Sequence, residues 1–219
     1  MSFHPTLQSP AQSSPETLAG SDRGILRGAL GFAFVSLLVF GLLYPLAGVG
    51  LGQALFPQAA NGSLIERDGQ VVGSELVAQP FSHSRYFHSR PSAAGFNPMG
   101  VSGSNQALTN PDLRQRVEDA RAAAAALNGV DPSTVPSDLV TQSGSGIDPH
   151  ISPAAAAIQI DRVARARGID RGAVEELVAQ YTEQRQLGVL GQPRVHVLRL
   201  NLALDALAAP EAGATTTRP

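Results

Sequence analysis

From residue 28 to residue 56 the chain reads GALGFAFVSLLVFGLLYPLAGVGLGQALF, an apolar run without a formal charge. As a helix rising about 1.5 Å per residue it would reach roughly 43 Å, enough to cross a hydrocarbon core about 30 Å thick. A lone span in lipid must satisfy its backbone groups internally, so it must be helical. A buried core helix usually carries only about 10–14 apolar residues. A cleaved signal has an apolar region of about 7–15 residues before a small-residue site; Ala47, Gly48 and Gly50 are small, but the run is too long. The pattern predicts an uncleaved transmembrane helix over 23–56. Arg23 and Arg27 flank its N-terminal end and the next basic residue is Arg67. The excess of positive charge predicts that residues 1–22 are cytoplasmic and the bulk of the chain extracytoplasmic.

Beyond the apolar run the pattern breaks into short elements. Ser63–Glu66 and Gln70–Val72 read as strands around Asp68-Gly69, a strong hairpin dipeptide. Residues 80–98 are rich in Pro, Ser and Gly and carry anchoring aromatics, which predicts a loop. Asn110 caps a helix over 111–127 that starts at Pro111 and stops at Asn128-Gly129. Leu113, Val117, Ala120, Ala124 and Leu127 mark its inner face. Leu139-Val140 reads as a short strand. Ser152 and Pro153 open a helix to Arg167, with Ile158, Val163 and Ala166 inward and Gly168 as the stop. A third helix covers 171–186, with Val174, Leu177, Val178 and Tyr181 inward. Alternation at 195–200 predicts a strand, followed by a short helical turn to Leu207. The fold class is α+β: one transmembrane helix, then a single extracytoplasmic domain of three main helices and short strands over 57–208. Residues 1–22, rich in Ser and Pro, and 209–219 are expected to be disordered tails.

Composition narrows the function classes. The 219 residues carry a net charge of −2, and no basic surface argues for nucleic acid. Cysteine is absent and all 16 basic residues are arginine. Disulfides, thiolate metal sites, a Walker lysine, Schiff-base lysines and Ser-Lys dyads are thereby excluded. Aromatics make up 5% of the chain and tryptophan is missing, which disfavours a stacking platform.

Four sets of residues invite chemistry. Gly41, Gly48 and Gly52 in the apolar run are small enough to let another helix approach closely. Ser143, Gly144, Ser145 and Gly146 form a Gly/Ser loop that can offer backbone N–H groups to an anion, though no lysine follows it and it is not a dinucleotide fingerprint. Asp148, His150 and Ser152 invite a triad, but such neighbours seldom converge in space; Asp148 and His150 are expected to fix the loop by hydrogen bonds instead. His83 and His88 lack acidic company and are weak metal ligands. No catalytic or metal site is expected.

A set of motifs in order carries a resemblance. They are Asn61-Gly62-Ser63-Leu64-Ile65, Val71-Val72-Gly73-Ser74-Glu75-Leu76, Gln79-Pro80-Phe81, Tyr86-Phe87, Arg90-Pro91-Ser92-Ala93, Asn97-Pro98, Ser104-Asn105, Thr109-Asn110-Pro111 and Val140-Thr141. The most specific run is 143–153, SGSGIDPHISP. Gln159, Arg162-Val163-Ala164, Ala166-Arg167, Val195-His196-Val197-Leu198 and Leu200-Asn201-Leu202-Ala203-Leu204 follow. Together, over about residues 25–207, the chain resembles the C subunit of the bacterial Kdp potassium pump. It departs from that family's pattern at residues 101–108 and at His196, where the family commonly has Asn.

The resemblance implies a non-catalytic subunit of an ATP-driven potassium importer in the cell inner membrane, single-pass, with a periplasmic domain. Implied partners are the lipid bilayer, a channel-like potassium-binding subunit, a P-type ATPase subunit and a small single-span subunit. Implied roles are assembly and a catalytic-chaperone effect on the ATP affinity of the ATPase subunit. No cofactor is expected on this chain, ATP belonging to the ATPase subunit. The alternatives are a membrane-anchored periplasmic hydrolase built on Asp148, His150 and Ser152, and direct ATP binding by this chain.

Overall fold

The computed structural model describes residues 22–208; the two expected tails lie outside the described residues but for Asp22. The chain divides between Pro57 and Gln58 into two compact units. The first holds α1 (Asp22–Leu38), a π-helical turn (Val39–Leu43) and α2 (Tyr44–Leu55). Together they form one apolar helix over Gly24–Leu55, exposed along its length and long enough to cross a membrane. The π turn sits immediately before Pro45, which has no N–H and whose ring would press on the carbonyl four residues back. Widening the helix by one residue relieves that clash.

A short helix α3 (Pro57–Ala60) leads into the second unit. Strands β1 (Leu64–Arg67) and β2 (Gln70–Ser74) form the expected antiparallel hairpin. Its turn residues Asp68 and Gly69 both take positive φ, which an Asp-Gly pair adopts readily. Helix α4 (Pro111–Asn128) starts with Asn110 accepting from Asp112 N and ends at Gly129 in the left-handed region, as its sequence predicts. Next come β3 (His150–Ile151), α5 (Pro153–Ala157), α6 (Ile160–Arg167), α7 (Arg171–Gln180), β4 (Thr182–Glu183), β5 (Arg194–His196) and α8 (Val197–Ala208). The second sheet runs β3-β5-β4, antiparallel throughout, with β5 central.

Several boundaries differ from the sequence expectation. Residues 137–139 form a 3-10 turn rather than a strand at Leu139-Val140. The helix expected over 153–167 is broken at Ile158-Gln159 into α5 and α6. The third helix stops at Gln180 because Thr182 and Glu183 pair with β5. The strand expected at 195–200 ends at His196, and the short turn expected after it is the 12-residue helix α8, a fourth long helix of this unit. Ala166 and Leu127 are exposed and Ile158 is half-buried; Arg162 and Asn128 take inner positions instead.

The core of the second unit is assembled from α4 to α8, β3, β5 and the loops between them. Phe87, Val163, Val174, Val195, Leu200 and Leu204 are fully buried in one cluster with Ile151 and Val197. Each buried aliphatic or aromatic side chain contributes about 1.5–3 kcal/mol, and this cluster holds the sheet and the loops around it in place.

Candidate functional site

The loop 143–150 packs against two other irregular segments. Ser143 N donates to Pro91 O at 3.1 Å, Ser102 N to Ser145 O at 3.1 Å, and Ala78 N to Ile147 O at 2.8 Å. Ser92 Oγ donates to Gly146 O and accepts from Ala94 N and Phe96 N. The approach is too close for side chains: a Cβ on Gly146 would lie 2.7 Å from Ala94 Cβ, and one on Gly103 2.9 Å from Gly144 O.

The N–H groups of this loop point inward to its own serines. Ser143 Oγ accepts from Ser145 N and Gly146 N, and Ser145 Oγ accepts from Ile147 N. An anion would have to displace these bonds, so the loop is no ready phosphate cradle. Nor does it open a helix directly, since β3 separates it from α5.

Asp148 closes the loop. It accepts from His150 N and from Arg90 Nη1, each at 3.0 Å, and its carboxylate lies 3.6 Å from His150 Nδ1. Burial opposes its ionisation, but the hydrogen bonds from His150 and Arg90 outweigh that and hold its carboxyl below the usual range. Ser152 is committed elsewhere. Its hydroxyl donates to Asp138 Oδ1 at 3.1 Å and accepts from Ala155 N at 3.0 Å, capping α5. Thus Asp148 and His150 meet, while Ser152 turns to a different carboxylate; no hydrogen bond among the described residues joins it to His150. A groove of about 550 Å³ is lined by Ile65, Glu75, Tyr181, Arg199, Leu202, Ala203 and Ala206, none of them from this trio.

His150 faces His196 across β3 and β5, ring centroids 5.1 Å apart and edge to face. His196 Nε2 lies 2.9 Å from Glu75 O, and its Nδ1 accepts from Arg199 N. Those partners assign a neutral ring protonated at Nε2. Burial lowers its pKa, with the nearby His150 and Arg199 adding to the effect and the Glu75 carbonyl and Glu183 opposing it. His88 sits with Nε2 3.2 Å from His83 O, and burial next to Arg162 lowers its pKa too. Among the described residues no three His, Cys, Asp or Glu side chains gather as a metal set.

A buried polar network lies outside every motif that the sequence singles out for chemistry. Gln159 Oε1 accepts from His88 N at 2.8 Å, and its Nε2 donates to His88 O and Ala155 O. Asn201 treats Phe87 the same way, accepting from its N at 2.8 Å and donating to its O at 2.9 Å. Arg162 donates to Asn128 Oδ1, Ser84 O, Tyr86 O and Gln159 Oε1. Burial pulls its pKa down to about 10. Three side chains from α6, α8 and the break before α6 therefore hold the irregular segment 84–88, a turn at Ser84-Arg85 that leads into Phe87 and His88, by its backbone groups. Asp205 adds an outer tie, accepting from Tyr86 Oη and Arg167 Nη2. The signal for the network was polar residues at helical core positions, which a search for apolar stripes passes over.

In the first unit, Gly48 has open space where a Cβ would be, a Cβ on Gly41 would touch Leu37 Cδ1 at 3.3 Å, and Gly52 O accepts from Phe56 N.

Residues 26–206 match the family described as KdpC: K+-transporting ATPase, c chain. Among curated proteins, the potassium-transporting ATPase KdpC subunit of Xanthomonas oryzae pv. oryzae is 53% identical over 192 residues, covering 88% of this chain and 92% of the relative. The protein of the same name from Methylococcus capsulatus is 55% identical over 185 residues, covering 82% and 96%. That of Gemmatimonas aurantiaca is 50% identical over 196 residues, covering 88% and 98%.

Proposed function

This chain belongs to the KdpC family, the c chain of K+-transporting ATPases, and from that premise we propose that it acts as a non-catalytic, single-span subunit that holds a potassium-importing complex together. The apolar helix anchors it in the inner membrane with residues 1–22 cytoplasmic, and the second unit stands in the periplasm. The observation that carries this reading is the extent of the match, which runs through the apolar helix and the folded unit together. The geometry agrees with a docking body: the best catalytic candidates are spent on structure, Ser152 as a helix cap and Asp148 as a loop tie to Arg90. Ser143, Gly144, Ser145, Gly146, Asp148 and His150 then form a rigid contact loop rather than a reactive one.

Its partners are a channel-like potassium-binding subunit, a P-type ATPase subunit that binds and hydrolyses ATP, and a small single-span subunit. Gly41, Gly48 and Gly52 face partner helices in the bilayer. A catalytic-chaperone effect on ATP affinity would act through the partner, since this chain has no lysine and the N–H groups of Ser145, Gly146 and Ile147 are taken by the loop's own serines. The test is affinity purification of this chain in mild detergent from potassium-starved cells, with a potassium-stimulated ATPase assay. A multi-span partner and an ATPase should come with it, and activity should vanish when this chain is deleted. Gly48→Leu and Gly52→Leu should each lower partner recovery several-fold. Recovery of the chain alone, or hydrolysis of model esters by it, would overturn the reading.

A further inference from the structure

Helix α1 does not pass into α2 by regular bonding. Tyr44 N donates to Val39 O, one residue further back than an α-helix allows, and the regular ladder resumes with Leu43 as its first acceptor and Pro45 inside the first turn. Between Val39 and Leu43 stand three carbonyls, those of Phe40, Gly41 and Leu42. Between Tyr44 and Ala47 stand Pro45, which has no N–H, and Leu46, which has one. One donor therefore serves three acceptors, and two carbonyls lack a main-chain partner. A Ser or Thr in the next turn can bond back to such a carbonyl, but that turn holds Leu43, Tyr44, Pro45 and Leu46. The Tyr44 hydroxyl is at the far end of its ring.

Lipid offers no water to take up the bonds. The helix is exposed throughout, so no described residue of this chain covers the gap. The gap also has an open approach. At about 100° per residue, Pro45, Gly48 and Gly52 fall within about 60° of one another, on the side toward which the Gly41 carbonyl points. Gly48 has nothing within 4 Å of where a Cβ would sit.

We propose that this notch seats a transmembrane helix of another subunit, which presents a Ser, Thr, Asn or Gln side chain as hydrogen-bond donor to the carbonyls of residues 40–42. The inference rests on the reading of this chain as a complex subunit and adds the chemistry of the contact. A small neutral donor fits because the surrounding side chains are apolar but for the Tyr44 hydroxyl and include no acidic group to pair with a cation.

Isotope-edited infrared spectroscopy tests it, with a single labelled carbonyl placed in turn at Phe40, Gly41 and Leu42 of the full chain. In vesicles containing the chain alone, two of the three should absorb at the wavenumber of a free carbonyl, and both should fall on assembly into the complex. Pro45→Ala supplies the missing N–H; it should lower one of the two in the chain alone and remove its assembly shift. Leu42→Cys, the sole thiol in a chain without cysteine, should cross-link to a partner segment with a hydroxyl or amide residue within one turn. Bonded wavenumbers in the chain alone, no shift in an intact complex, or capture of an all-apolar segment or a second copy of this chain would overturn the seat. If no partner assembles with the chain at all, the subunit reading falls and the seat falls with it.

Discussion

Replacing Asn201 by Leu isolates the value of the side-chain clamp on residue 87. Asn201 is 1% exposed and Phe87 0%, so water cannot replace what the amide provides. The substitution removes two hydrogen bonds, Phe87 N to Oδ1 at 2.8 Å and Nδ2 to Phe87 O at 2.9 Å. It leaves a buried donor and a buried acceptor unpaired, each costing about 1–3 kcal/mol. Leu has a similar volume, so no large cavity opens, and its extra apolar surface returns on the order of 1 kcal/mol. The net expectation is a loss of about 3 kcal/mol, a large share of the roughly 5–15 kcal/mol that holds a domain together. The assay is urea unfolding of the full chain in mild detergent, followed by far-UV circular dichroism. With a slope of about 2 kcal/mol per molar, the midpoint should drop by about 1.5 M while the slope stays constant. Amide exchange at Phe87 should accelerate by at least the same free energy. A loss below about 0.5 kcal/mol, with Phe87 still protected, would refute the clamp.

Two further outcomes follow from the same geometry. The His196 and His88 rings are held neutral, so their pKa values lie below the ordinary 6.5. The unfolded chain then binds more protons as pH falls through 6.5, and stability should decline from there down to the lowered values. Urea midpoints across this range should show the slope, and His196→Asn should reduce it without abolishing it, because His88 remains. Gly146→Ala should cost about 2–3 kcal/mol, since φ there is +73° and the new Cβ would meet Ala94 Cβ and Ser102 O. Gly144→Ala, with open space around it, should stay within about 0.5 kcal/mol; thermal melts of both variants decide whether the loop is packed as described.

What the sequence made legible was governed by short-range rules. The Asp68-Gly69 turn, the Asn110 and Ser152 caps and the glycine stops at 129 and 168 depend on neighbours within a few residues, and all are present. The apolar helix was legible from its length alone. Helix α8 was hidden because Leu198, Leu200, Leu202 and Leu204 alternate as a strand would. Its true inner face is Val197, Leu200, Asn201 and Leu204, and the polar Asn201 masks the helical stripe. The break at Gln159 is equally invisible locally, since it serves a backbone 71 residues away. Asp148 and His150 could be paired by their spacing, but Asp138 as the partner of Ser152, 14 residues upstream, could not.

The clamp on residues 84–88 also sets an order of events during synthesis. Phe87 waits for Asn201, 114 residues later, to bond its backbone, and β3 waits for β5. A ribosome adding about 5–20 residues per second needs roughly 6–23 seconds to cover that interval. Throughout it, the segment with the most buried aromatic of the unit must stay uncollapsed or be shielded by another protein. Local helices such as α4 can form early, but the domain closes only when α8 has left the ribosome. Truncation before Asn201 should therefore abolish folding of the whole unit rather than fray one end.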